Sequence, residues 1–160
     1  FVRESKAAQV WNILVDSGAK PCGLGSRDLL RLEAGLLLHG NDMNTKINPF
    51  EAGLEKFVNC DKDDYLAGPA LRKIRSEGPE KKLVGFYVDG NRAARPGYTI
   101  NHGATQVGYI TSGTYSPTLN RNIALGYVLT ELIDNNKNLK CDIRGQFTDI
   151  VITKLPFYSR

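Results

Sequence analysis

A single change of hydrophobic period organises this chain. Up to Gly78-Pro79, apolar residues recur at three-and-four spacing; beyond it they gather in short runs rich in β-branched and aromatic residues. These runs are Lys82 to Val88, Tyr98 to His102, Gln106 to Thr111, Ala124 to Val128, Leu139 to Arg144 and Thr148 to Thr153. Punctuation such as Asp89-Gly90-Asn91 and Asp134-Asn135-Asn136 separates them. Six strands of this length call for a small antiparallel barrel or sandwich. The chain therefore divides near residue 79 into a helix-rich front and an all-β back. With 41% hydrophobic residues among 160, it can bury a core of its own.

In the front, Ala7, Val10, Trp11 and Leu14 form the apolar stripe of a first helix, with Ser5 as its cap and Trp11 expected in the core. Gly18 and Pro21 end it. Gly23-Leu24-Gly25-Ser26 is a tight turn into a second helix capped by Ser26, on which Asp28 and Arg31 can pair at i,i+3. It lacks the third glycine and the preceding strand of a dinucleotide site. Asn48-Pro49-Phe50-Glu51 is a helix start, running to about Asn59. A last helix begins near Pro69 and carries Leu71 and Ile74 inward.

Several function classes are excluded. No apolar run approaches the ~18 residues needed to span a bilayer, so a soluble protein with no membrane partner is expected. The net charge of +4 is spread along the chain, with no dense basic stripe and interleaved aromatics for nucleic acid. Cys22, Cys60 and Cys141 form no C-x-x-C pair and read as packed thiols of a reducing compartment. His39 and His102 lack metal-ligand spacing, so no metal is expected. Asp61, Asp63 and Asp64 read as a solvated acidic turn. The opening Phe1-Val2-Arg3-Glu4-Ser5-Lys6 has no signal-peptide pattern and reads as mid-chain sequence.

One side chain stands apart from these. Arg27 lies in the first turn of a helix behind Gly23-Leu24-Gly25-Ser26, where open backbone N–H groups favour anions. Its planar fork of donors suits a carboxylate or a ring carbonyl. A pair with Asp28, Glu33 or a neighbouring element is the plainer alternative.

Longer motifs carry a resemblance. Gly23 to Gly35 resembles the G-L-x-x-R-D-x-L-R-L-E-A-G signature of glycine cleavage T-proteins, and Leu38-His39-Gly40-Asn41-Asp42 is similar to the family's L-Y-G-N-D. Asn48 to Leu54 resembles T-P-x-E-A-G-L, and Lys82-Leu83-Val84-Gly85 resembles the R-K-L-V-G strand. Gly108 to Pro117 resembles G-x-V-T-S-G-T-x-S-P, while Asn122 to Val128 and Lys154 to Tyr158 match the last two landmarks. The motifs lie in the family's order and cover nearly the whole chain.

The resemblance implies an α+β chain. Residues 1–79 would be the C-terminal part of the folate-binding α/β region, and residues 80–160 a small antiparallel six-stranded β-barrel. It implies a tetrahydrofolate-dependent aminomethyltransferase of the glycine cleavage system. The methylene of an aminomethyl group on the lipoylated H-protein passes to tetrahydrofolate as co-substrate, and ammonia leaves. Arg27 matches the family arginine that contacts folate or substrate in the central cavity. His39 stands where the family has a tyrosine, and Tyr158 and Arg160 lie near the C-terminal segment that approaches the folate. The family's catalytic aspartate would lie upstream of Phe1, which leaves no catalytic residue in this chain. The implied partners are the H-protein and the N-terminal part of the same protein, and the implied place is the cytoplasm, or the mitochondrial matrix in a eukaryote. Two alternatives remain: the folate domain of a dimethylglycine or sarcosine dehydrogenase-like protein, and a non-catalytic structural subunit derived from the T-protein scaffold.

Overall fold

The computed structural model describes residues 1–62, 64–134 and 138–159. Its elements in chain order are α1 (Glu4–Asp16), α2 (Leu24–Glu33), α3 (Gly68–Glu77), β1 (Lys81–Val88), β2 (Thr99–His102), β3 (Thr105–Ser116), β4 (Arg121–Leu129), β5 (Leu139–Ile143) and β6 (Gln146–Thr153). Short 3-10 turns span Glu55–Phe57 and Thr130–Leu132. Among the described residues, no helix is long and apolar enough to cross a membrane.

The six strands close into a barrel in the order β1-β4-β3-β2-β5-β6, every neighbouring pair antiparallel, and β6 returns to β1 through Gly85–Val88 against Ile150–Thr153. Closure decides between the two all-β forms that the strand count allows. It also leaves no open sheet edge. The barrel interior holds Phe86, Val88, Ile100, Ile110, Ala124, Val128, Leu139, Cys141 and Ile150.

A second apolar layer lies outside the barrel. Ile123, Leu125 and Tyr127 of β4 point outward and pack with Leu32 of α2, Leu83 of β1 and Phe157 of the C-terminal tail. Since side chains alternate across a strand, β4 is buried on both faces. That explains its near-continuous apolar run, which is the pattern of a strand covered on two sides.

The front differs from expectation in three places. No side chain caps α1, which starts at Glu4 after Arg3 rather than behind Ser5, and none of its residues is buried. Trp11 is 56% exposed, so within this chain it is not a core residue. The cap of α2 is Gly23, which puts Ser26 inside the first turn. Asn48 does begin a capping box: its Oδ1 accepts from the backbone N–H of Phe50 and Glu51, and Glu51 Oε2 accepts from Asn48 N. The turn does not propagate, because Gly53 takes a left-handed φ of 68° and stops it. The helix from Pro69 forms as expected, with Pro69 in its first turn and Leu71 and Ile74 half-buried.

β3 and β4 run further than their apolar runs, β3 through to Ser116 and β4 from Arg121. Asn135 and Asn136, part of the expected turn before β5, and Asp63 of the expected acidic turn lie outside the described residues.

Candidate functional site

The candidate site is built on α2. Its start has no side-chain cap, so the N–H groups of its first turn are not taken up by a neighbouring side chain. Arg27 is exposed and has no hydrogen-bond or ion-pair partner among the described residues. It lines a shallow cleft with Cys22, Gly23, Ser26, Leu30 and Leu36. The alternative pairing of Arg27 with Asp28 or Glu33 is not seen among the described residues: Asp28 holds Arg31, and Glu33 holds Ser116 and Thr118.

Arg31, one helical turn on, is in the opposite situation. Its Nε donates to Asp28 Oδ1 at 2.8 Å, its Nη2 to Ser112 Oγ at 2.8 Å and its Nη1 to Asp42 Oδ2 at 2.5 Å. Asp42 is 0% exposed. Its carboxylate accepts four donors: Arg31 Nη1 and Leu38 N on Oδ2, Thr111 Oγ1 and Ser112 Oγ on Oδ1. A buried carboxylate is tolerable only when its lone pairs are filled in this way.

The barrel side of this cluster depends on a backbone irregularity. Consecutive residues of a regular strand face opposite sides. Here the β3–β4 register shifts between Ile110 and Ser112, which makes Thr111 the extra residue of a bulge. Thr111 and Ser112 can then both reach the same oxygen of Asp42. From β4, the Tyr127 hydroxyl donates to the Asp42 carbonyl at 2.7 Å. Burial first, then the nearby Tyr109, Glu51 and Asp42, pushes the Tyr127 phenol upward and keeps it a donor.

Glu33, at the end of α2 and 3% exposed, makes a second tie. Ser116 Oγ of β3 donates to Glu33 Oε1 at 2.5 Å, Thr118 Oγ1 to Oε2 at 3.3 Å, and the backbone N of Tyr158 to the Glu33 carbonyl at 3.0 Å. Phe157, next to it, is buried in the outer apolar layer with its ring 6.0 Å from that of Tyr87. The tail is thereby seated at the C-terminal end of α2, about 9 Å along the helix axis from Arg27. The Tyr158 side chain remains exposed. Arg160, the last expected site residue, lies outside the described residues.

This arrangement has known counterparts. Residues 1–62 match the family model "GCVT N-terminal domain", and residues 81–159 match "Glycine cleavage T-protein C-terminal barrel domain". An aminomethyltransferase of Thermosynechococcus vestitus is 44% identical over 152 residues, which are 95% of this chain and 42% of that protein. One from Synechocystis sp. is 44% identical over 151 residues, 94% of this chain and 41% of its own length. The crystal structure of the glycine cleavage system aminomethyltransferase T from Bartonella henselae superposes with a TM-score of 0.86 at 30% identity, covering 94% of this chain and 43% of that one.

The chain belongs to the glycine cleavage T-protein family. It corresponds to the C-terminal portion, and it spans about two fifths of the length of the curated relatives it matches.

Family membership makes sense of polar letters in the T-protein signatures. Glu33 of R-L-E-A-G, Asp42 of the G-N-D motif, and Thr111, Ser112 and Ser116 of T-S-G-T-x-S-P are the residues that tie α2 to the barrel. Reading the sequence for catalytic groups passed over all of them. Their signal in the sequence is the run of small polar residues from Thr111, where strand alternation breaks.

His39 is exposed, forms an isolated bridge with Met43, and lines a separate shallow pocket with Met43, Ile47 and Pro49. No described cleft brings it together with Arg27. The cysteines differ from one another. Cys60 and Cys141 are packed, and burial, then Asp142, pushes the Cys141 thiol up to about 12. Cys22 is exposed at the start of α2, contrary to its reading as a packed thiol. Among the described residues, no group of three or more His, Cys, Asp or Glu could hold a metal ion.

Proposed function

We propose that this chain is the folate-side wall and closing barrel of a tetrahydrofolate-dependent aminomethyltransferase. Residues 1–79 would be the end of the folate-binding region and residues 80–160 the barrel domain. Arg27 carries the reading. It is the α2 arginine without a hydrogen-bond or ion-pair partner among the described residues, on a helix whose other charged side chains Asp28, Arg31 and Glu33 are all engaged. A guanidinium held out at an uncapped helix start suits a carboxylate or ring carbonyl of a folate. Tyr158 and Arg160 would approach the same ligand from the tail, and His39 would stand further along the wall.

The reaction supported by membership has two inputs. The lipoylated H-protein presents its sulfur-bound aminomethyl carbon, and tetrahydrofolate presents two nitrogens. The carbon–sulfur and carbon–nitrogen bonds of the aminomethyl group break as two new carbon–nitrogen bonds form. The two displaced folate protons leave with the thiol and with ammonia. In this scheme the chain's residues bind and orient the folate and exclude water, which is where positioning acts on a two-substrate transfer. The carboxylate that assists proton movement would come from an N-terminal part of the protein. We place the assembly in the cytoplasm, or in the mitochondrial matrix of a eukaryote.

An assay with lipoylated H-protein and tetrahydrofolate tests this. The 160-residue chain alone is expected to give no turnover above background, and the chain assembled with an N-terminal portion is expected to turn over. Turnover by the chain alone would contradict the assignment of roles. An assembly that forms but neither binds folate nor turns over would make the chain a structural module.

A further inference from the structure

The barrel carries a pocket of its own, where β1 ends and the β3–β4 hairpin turns. It holds about 590 Å³ and shares no residue with the Arg27 cleft. Small-molecule sites have volumes of about 300–1,000 Å³. All of its lining residues fall within 81–159, the span that matches the barrel domain of the family. Its walls are tied together. Asn122 of β4 is 3% exposed and donates through Nδ2 to the Gly90 carbonyl at 2.8 Å, which fastens the loop after β1. Across the hairpin, the Tyr115 hydroxyl donates to Asn120 Oδ1, and the Leu119 N–H to Ser116 Oγ at 3.1 Å.

Three polar groups of this pocket have no partner among the described residues. Asn122 Oδ1 accepts from no described donor, and an acceptor on so buried a side chain takes its donor from water or from a ligand. The Asp89 carboxylate and the Arg121 guanidinium are exposed, and neither makes an ion pair or hydrogen bond with a described residue. Arg121 lies 3.6 Å above the centre of the Tyr87 ring. Such a stack fixes the plane of the guanidinium and leaves its N–H edge for an anion. One cation and one carboxylate thus line a single pocket without pairing to each other.

We propose that this barrel pocket binds a free α-amino acid. The ligand's carboxylate takes the Arg121 edge, its ammonium takes Asp89 and Asn122 Oδ1, and its side chain lies against Tyr115 and Leu119. A simple anion would leave Asp89 and Asn122 Oδ1 unfilled, and a simple cation would leave Arg121 unfilled. Only a ligand with both charges answers the whole set. A folate does not, because the amino nitrogen of its glutamyl part is acylated and carries no charge. The proposal therefore stands apart from the folate reading of Arg27.

The test titrates the full 160-residue chain, labelled with 15N, with L-leucine and follows the side-chain amides of Asn91, Asn120 and Asn122, which line the pocket. Saturable shifts of these amides are expected. Asp89→Asn and Arg121→Gln should each weaken leucine binding about tenfold or more. Asp89→Asn leaves the Tyr87 stack in place and should keep the wild-type thermal midpoint, so it decides the point if Arg121→Gln loses the fold. Acetate and methylammonium, which carry one of the two charges each, should bind about tenfold more weakly than leucine or worse. Acetate binding as tightly as leucine would reduce the pocket to an anion site and overturn the proposal. Shifts that grow without saturating, or a leucine affinity unchanged in folded Asp89→Asn, would overturn it as well.

Discussion

Asp42→Ala is expected to destabilise the chain by about 3–5 kcal/mol, the cost of breaking a buried ion pair by removing one partner. The substitution takes their acceptor from Arg31 Nη1, the Leu38 N–H and the hydroxyls of Thr111 and Ser112, of which Thr111 Oγ1 can still donate to the Leu125 carbonyl and Arg31 still holds Asp28. Each orphaned donor adds a desolvation cost of roughly 1–3 kcal/mol unless water or a rotated hydroxyl relieves it. Asp42→Asn should cost less. Its carbonyl can stay on Arg31 and Leu38 while its amide turns to the two hydroxyls, which can reverse and accept. Urea midpoints at constant m-value measure both variants. A loss below about 1 kcal/mol for Asp42→Ala would mean that the cluster is solvated and does not hold α2 to the barrel.

Gly108→Ala is expected to cost at least as much for a different reason. Gly108 sits opposite Val128 in the β3–β4 ladder, and a Cβ on it would lie 2.1 Å from the Tyr127 carbonyl oxygen. Backbone cannot rotate away as a side chain can, so β3 and β4 must separate. The strand that moves, β4, is the one packed on both faces, and the shift would be felt in the barrel interior and under α2 together. Overpacking against rigid neighbours costs about 1–3 kcal/mol and sometimes more. Here we expect about 3 kcal/mol or above, visible as a lowered melting temperature or as loss of folded protein on expression. A wild-type melting temperature would show that the ladder is wider at this point than the structure has it.

The fold was largely legible in the sequence because most of it follows from apolar patterning. The six β-rich runs became six strands, all of them after the three helices. Where patterning failed, polar residues were responsible. The third run looked finished at Thr111 because two consecutive polar residues break strand alternation. In the structure the strand continues to Ser116, since the bulge sends Thr111 and Ser112 to a buried carboxylate, and Ser116 to another. No local rule announces that Asp42, 70 residues from Ser112, will be their partner.

The other misreadings have equally physical sources. The Asn48 capping box is real, but a capping box starts a turn without guaranteeing its continuation, and Gly53 ends it. The stripe through Trp11 signals a helix, which forms, yet no described residue buries that stripe. As for the site, physical chemistry alone singled out Arg27 by its place at a helix start. His39, Tyr158 and Arg160 entered only through resemblance.

The most direct measurement is the affinity of tetrahydrofolate for this chain assembled with an N-terminal T-protein portion, comparing wild type with Arg27→Ala and Arg27→Lys. Arg27→Ala should bind at least tenfold more weakly, about 1.4 kcal/mol, the scale of one charge-assisted contact. Arg27→Lys should fall between, keeping the charge but losing the planar fork. Because Arg27 makes no hydrogen bond or ion pair with a described residue, both variants should melt with the wild type. Unchanged folate affinity in a folded Arg27→Ala assembly would contradict the account, since the exposed arginine of α2 would then have no part in holding the folate.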